Sequence, residues 1–307
     1  MGTYHLTGER ARQMRVLPPA LLKRLYERSD LHGAAQTAAH IAGLMLGGWA
    51  VLASLGTAWV VPAFLVQTFL LVGVFAAMHE AVHYSAFRTR WPNEVLAFMS
   101  GATILFNAAF YRHFHLAHHR YTQDPARDPE LIASPAPRTP REYWLRLSAL
   151  PYLKARLVGL VTVPFGARPG ESFIHPTAWP TIRRWGWGVL AVYAALLAGS
   201  IALETAALVW AWLLPWLAGL PILRAYLLSE HTLCAESDDG FANTRTTLSN
   251  PLVRLVMWNL PYHAEHHLFP NVPFHRLPEA HRHLRPHLAH VAACYRDVQA
   301  EIRASLT

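Results

Sequence analysis

Two cysteines in 307 residues, Cys234 and Cys294, exclude a disulfide scaffold. Charge is scarce as well: Asp, Glu, Lys and Arg make up 15% of the chain, against about 25% in an ordinary soluble domain. With 53% hydrophobic residues, the composition excludes a disordered chain. Leu31 to His79 runs for 49 residues without a single charged side chain, and between Trp185 and Leu223 only Glu204 is charged. The opening MGTYHLTGERARQMR has no apolar run after its charges, so it does not read as a cleaved signal peptide. Low-complexity tracts and internal repeats are missing too.

A helix crosses a bilayer with about 20 apolar residues. Each uncharged block therefore holds two crossings. The first turns at Ser54–Thr57 or near Pro62, the second at Glu204–Thr205. The expected fold is all-α and integral to the membrane, with four transmembrane helices in two hairpins, interfacial helices and a cytoplasmic histidine-rich cap. As one domain over 1–307, it divides into an N-terminal segment (1–30), a first hairpin (34–78), a cytoplasmic and interfacial region (79–184), a second hairpin (185–228) and a second cytoplasmic region (229–307).

Both hairpin tips lack Lys and Arg, whereas Arg10, Arg12, Arg15, Lys23, Arg24 and Arg28 crowd the N-terminal segment. The positive-inside rule then puts both termini and the middle loop in the cytoplasm. The net charge of +8 is accounted for by anionic lipid headgroups, without nucleic acid. Arg141 to Val163 alternates leucines with basic residues and reads as an interfacial helix broken at Pro151. The lack of targeting signals and the modest length point to a bacterial inner membrane.

Against these shortages stand 19 histidines. Three clusters hold eight of them: His79-Glu80-Ala81-Val82-His83, His115-Leu116-Ala117-His118-His119 and His263-Ala264-Glu265-His266-His267. Positions i, i+3 and i+4 share a helix face, so each cluster aims its imidazoles at one point. Chance gives one H-x-x-H-H in roughly one such chain in fourteen; this chain has two. Parity adds a second argument. If Val95 to Tyr111 crossed the membrane, the first cluster would be parted from the other two by the bilayer. If that stretch lies in the interface or re-enters, all three share one face with His231, which follows the fourth span. Nine neutral nitrogens exceed the four ligands of one zinc and suit two first-row metals with open positions, though imidazole alone does not name the metal. A metal pair at the cytoplasmic end of a lipid-facing bundle suits oxygen activation on an acyl chain.

Three stretches carry a resemblance: HEAVH with the following HYSAFR, RHFHLAHHRYTQDPARDPE, and NLPYHAEHHLFPNVPFHRLPEAH. In them the chain resembles the integral-membrane fatty acid desaturase superfamily, with its related hydroxylases, over Phe75 to His281. The resemblance implies a non-haem di-iron centre held by His79, His83, His115, His118, His119, His263, His266 and His267, with His231 as the ligand outside the boxes. It implies O2 and two electrons as co-reactants and a membrane lipid or fatty acyl chain as substrate. Two hydrogen abstractions give desaturation; one followed by oxygen rebound gives hydroxylation, and ketolation shares the same ligand set. Glu80, Asp124, Asp128, Glu230 and Glu265 are candidates to orient ligand imidazoles, each equally a solvated carboxylate or helix cap; Asn259 is a candidate for a water-linked iron contact. The chain lacks the His-Pro-Gly-Gly signature of a fused cytochrome b5, so electrons come from a separate ferredoxin or cytochrome-type donor on the basic face.

Two other readings compete. HEAVH also matches a zinc protease, with Glu80 as general base, but that leaves two clusters unexplained. A metal transporter places its ligands near the midplane, where only His40 offers one. Of the remaining histidines, His113 points to a different helix face from its neighbours, and His281, His283, His287 and His290 read as a solvated basic tail. Gly73, Ala76 and Ala77 either border a substrate channel or serve close helix packing.

Overall fold

The computed structural model describes residues 15–170 and 172–307; Arg10 and Arg12 of the basic N-terminal segment lie outside them. Among the described residues nearly all regular structure is helical: α1 (Pro19–Leu25), α2 (Asp30–Ala53), α3 (Val60–Val82), α4 (Arg90–Thr103), α5 (Ala108–Tyr121), α6 (Pro129–Ala133), α7 (Pro140–Leu147), α8 (Leu150–Thr162), α9 (Trp179–Ala202), α10 (Leu214–His231, entered through a π turn at Val209–Leu213), α11 (Pro251–Val256), α12 (His263–Leu268), α13 (Leu277–Leu284) and α14 (Tyr295–Ala304). A two-residue parallel bridge joins β1 (Thr246–Thr247) to β2 (Val291–Ala292).

Among the described residues three helices are long and apolar enough to cross a membrane: Val60–Val82, Pro176–Ala202 (which takes in α9) and Val209–His231. Helix α2 has the length of a span, 24 residues, but Gln36, Thr37 and His40 dilute its apolar surface. The α2–α3 turn falls at residues 54–59, where Gly56 takes φ +80°. Pro62 sits in the first turn of α3, where its missing N–H costs nothing. The second pair turns at Leu203–Glu204, as expected, yet α9 does not lie mainly along α10. It packs on α4 and α5, whereas α10 packs along α3. Only 11% of the most apolar part of α9 is buried, against 50% for α3, so the α9 surface needs a cover such as lipid.

The stretch expected to lie in the interface or re-enter is two helices, α4 and α5, meeting at 102°. Leu105 at φ 56° makes the corner and Asn107 caps α5 by accepting the Phe110 N–H. The Arg141–Val163 segment is also two helices, but Pro151 is not the break. The break is at Ser148–Ala149, with Ala149 at φ 58°, and Pro151 lies in the first turn of α8.

The core forms around the second half of α3. Every residue from Leu71 to Val82 is buried, against α2, α4 and α10. Close approach explains the small residues there. A Cβ on Gly73 would meet the Val256 carbonyl oxygen at 2.5 Å, and Ala76 and Ala77 are 1% and 3% exposed. All three fit close helix packing, and none of them lines the cavity described below. A second core, with Phe269, Val272, Leu277 and Leu284, fixes α12 and α13 below the bundle.

Candidate metal centre

The first histidine cluster ends α3, the second occupies the last turns of α5, the third is α12, and His231 ends α10. Four chain segments thus deliver their histidines to one layer. His79, His83, His115, His119 and His266 form one group whose ligand atoms lie within 4.8 Å of one another; His118, His231 and His267 form a second. His263 falls in neither group. Its ring lies 4.6 Å from that of His267 and 5.2 Å from that of His231, on the side of the second group.

The nitrogens face one another. His115 Nε2 is 2.9 Å from His119 Nε2, which is 3.0 Å from His266 Nε2; in the second group His118 Nε2 is 3.2 Å from His231 Nε2. Both nitrogens of His79 and of His263, and one each of His83, His115, His266 and His267, are buried without a hydrogen bond. So many buried nitrogens left without partners would be costly in a finished core. Shared metal ions would satisfy them, so the donor set fits metal.

Burial favours neutral, metal-ready rings. It pushes His83 down to about 3, helped by Arg112 and Arg28. His263, His266 and His267 are held well below the ordinary 6.5, by burial first and then by neighbouring imidazoles.

Around the second group the outer nitrogens are anchored. His118 Nδ1–H donates to both oxygens of Asp128 at 2.9 and 3.1 Å. His231 Nδ1–H donates to the Asn243 carbonyl at 3.2 Å. Thr122 gives its hydroxyl proton to the His118 carbonyl at 2.8 Å and receives His267 Nδ1–H at 3.2 Å. Such contacts fix ring tautomer and direction. Gln123 ties the parts together, its backbone N–H on Asp128 and its amide on the His231 carbonyl.

The other carboxylate candidates divide. Glu230 Oε1 comes within 3.3 Å of His263 Nδ1. Glu80 is spent on the Phe274 N–H, 2.9 Å away, which pins the third box to α3; its carboxylate is not the base that the protease reading requires. Glu265 faces away from the histidine groups, bonded to Thr246 and to His281. Asp124 caps a turn and pairs with Arg127. Asn259 donates to the Phe274 carbonyl at 3.1 Å. His281, expected in a solvated tail, is buried as the partner of Glu265. Thr122, Gln123 and Glu130, whose carboxylate lies 3.7 Å from His118 Nε2, are not among the sequence candidates, though all three sit inside the second motif. Asn243 is a further addition, and no sequence signal marks it.

A cavity of about 600 Å³ opens onto this layer. His79, His115, His118 and His263 face it, and Phe75, Phe106, Tyr111 and Phe114 give it aromatic walls. The Tyr111 ring stacks on His115 at 5.1 Å.

The profile of the fatty acid desaturase family matches residues 57–298. Dihydrorhizobitoxine desaturase of Bradyrhizobium elkanii is 29% identical over 73% of this chain and 67% of its own length. The sphingolipid delta(4)-desaturases of Candida albicans and Drosophila melanogaster are 27% and 29% identical. They align over 68% and 67% of this chain, which spans only 57% and 60% of their lengths. The family match takes in all three histidine clusters and His231, and by it the chain belongs to the fatty acid desaturase family and is an oxidoreductase.

Proposed function

We propose that the protein desaturates an acyl chain of a membrane lipid or fatty acyl compound, using iron held by the two histidine groups. The observation that carries this reading is the pair of imidazole groups, one largely buried and one half-buried, opening onto one aromatic-walled cavity. His79, His83, His115, His119 and His266 would hold one iron; His118, His231 and His267, with His263 beside them, the other. When bound, the iron pair supplies the redox chemistry that couples O2 and two electrons to removal of two hydrogens from adjacent carbons. The protein's own part is positional. Asp128, Asn243 and Thr122 aim three imidazoles inward. Phe75, Phe106, Tyr111 and Phe114 hold the chain against the histidine layer and keep water out.

The membrane arrangement follows the same reading. Helix α2 joins the three apolar helices as a fourth crossing, with α4 and α5 re-entering, so that the chain forms one membrane domain over 1–307. Both termini and the site then face the cytoplasm, in a bacterial inner membrane. Electrons arrive from a separate ferredoxin or cytochrome-type protein drawn to the basic surface of a chain with net charge +8; turnover should therefore fall steeply with salt. The relatives' names span a sphingolipid and dihydrorhizobitoxine, so family membership leaves the substrate to the cavity.

The test is mass spectrometry of total lipids from a host expressing the chain, with His266→Ala as control and iron analysis of the purified protein. New species two hydrogens lighter, absent in the control, establish desaturation. Species one oxygen heavier move the same site to hydroxylation. Purified protein that holds zinc and no iron sinks the reading.

A further inference from the structure

The cavity carries three arginines that the proposed chemistry does not use, Arg224 buried and Arg146 and Arg156 half-buried. Arg224, on α10 seven residues before His231, is 7% exposed. A buried arginine in a helix apolar enough to span a membrane is costly and marks function. Its Nη2 donates to Ser134 Oγ at 3.0 Å, and its Nε has no partner. Arg146 donates to the backbone oxygens of Ser134 and Pro135. Arg156 has a buried Nε with no partner, and its guanidinium lies 3.4 Å over the Phe106 ring and 4.7 Å from the Tyr152 ring. The Arg224 guanidinium is 5.1 Å from the same Tyr152 ring. Ser134 thus holds Arg146 beside Arg224, and Tyr152 holds Arg224 beside Arg156. The crowding registers at Arg146, which burial and the Arg224 charge push down to about 10.

None of the three has a carboxylate within 4.0 Å among the described residues. The cavity does contain carboxylates: Glu130 acts through space on all three arginines and Glu230 on Arg224, but neither reaches contact. Glu130 and Glu230 lie against His118 and His263, and Glu142 accepts the Arg138 backbone N–H. Three like charges in a low-dielectric, aromatic cavity leave an unmet demand for an anion. Guanidinium forks match carboxylate and phosphate oxygens, and their hydrogen bonds to such groups are the strong kind.

We propose that Arg146, Arg156 and Arg224 form an anion-binding subsite, and that the substrate bears a carboxylate or phosphate group that docks there. This rests on the reading of the cavity as the substrate site. The subsite is close to the histidines. Contacts of 3.4, 5.0 and 5.1 Å run from the Arg156 guanidinium through Phe106 and Tyr111 to the His115 ring. The acid group therefore enters the cavity with the chain.

The test is binding by the purified full chain in neutral detergent of three probes that share one tail: dodecanoate, dodecyl phosphate and dodecanol. At least one anionic probe should bind about tenfold or more tighter than the alcohol. The tighter of the two identifies the group as carboxylate or phosphate. Arg224→Gln and Arg156→Gln, each checked for an unchanged melting temperature, should erase the preference while leaving alcohol binding intact. Equal binding of all three probes to the unmodified chain overturns the proposal, as does a preference that survives both substitutions; the arginines would then only brace the Ser134–Pro135 loop. Iron content of the same preparations separates this from the desaturase reading. An anion preference in a chain that takes up no iron leaves the subsite standing and removes the metal chemistry, and iron uptake without the preference does the reverse.

Discussion

The two histidine groups are built differently. In the group of His118, His231 and His267, each ring is held from behind, by Asp128, the Asn243 carbonyl and Thr122 respectively. In the group of five, His79 has no hydrogen bond on either nitrogen, and His115 and His266 have none on Nδ1; packing alone directs these rings. Helices rich in buried contacts supply that packing: His79 sits in the fully buried half of α3, and the Phe75 and Tyr111 rings border it and its neighbour His115. Fewer ligands need more orientation, because each imidazole then carries a larger share of the metal's affinity. The smaller group also relies on loop residues around 122–128 and 243, where side-chain direction is not set by a helix.

Removing a ligand tests the division most severely. His266→Ala and His231→Ala should each lower turnover by at least about a thousandfold, the scale of several kcal/mol of lost metal chemistry. Each purified variant should retain one iron where the parent holds two. If either variant keeps both ions, the assignment of its histidine to a separate group fails.

The anchors come next. Asp128→Asn keeps the volume but weakens the charge-assisted bond to His118, and should lower metal affinity in the smaller group by about 10–100-fold. Titration with a competing chelator should show one ion released early and the other held as in the parent. Simultaneous release of both would mean that the two groups act as one site.

Protonation offers a third comparison. Burial depresses His83, His263, His266 and His267 in the folded chain, whereas the unfolded chain restores them to about 6.5. Below that pH the unfolded state binds protons that the folded state refuses, so stability falls as pH falls and is unaffected above it. Each such histidine should contribute a loss of about 1.4 kcal/mol per pH unit in metal-stripped protein. Thermal melts across the range read this directly, and His266→Gln should flatten the slope. A melting temperature that holds steady down to pH 5 would show that the rings are hydrated in the stripped protein.

The histidine layer was legible in the sequence because i, i+3, i+4 spacing is a local property, and parity of the apolar blocks was enough to collect the clusters on one face. The bend between α4 and α5 was half legible: parity argued against a crossing by Val95 to Tyr111, but only tertiary contact fixes 102°. Carboxylate roles were the least legible. Glu80 and Glu265 sit inside the boxes, yet a helix turns them away from the ring faces, while Asp128, ten residues past His118, is returned by the turn at Asp124. His281 looked like tail because sequence distance hides the α13 packing that buries it.

The smallest expected effect is the most specific to the comparison. Thr122 is the one anchor that is neither charged nor backbone, and it links two boxes by donating to the His118 carbonyl and accepting from His267. Thr122→Val keeps the shape and removes both hydrogen bonds. A neutral hydrogen bond contributes about 1 kcal/mol, so metal affinity of the smaller group should fall by only about fivefold, with helix content and the larger group untouched. The same conservative loss has no counterpart at His79, His115 or His266, whose outer nitrogens have no hydrogen bond. Thr122→Val should therefore shift one step of a two-step metal titration and leave the other where it was. A shift of both steps would place Thr122 in the structure of α5 as a whole and erase the distinction between a hydrogen-bonded and a packed half of the centre.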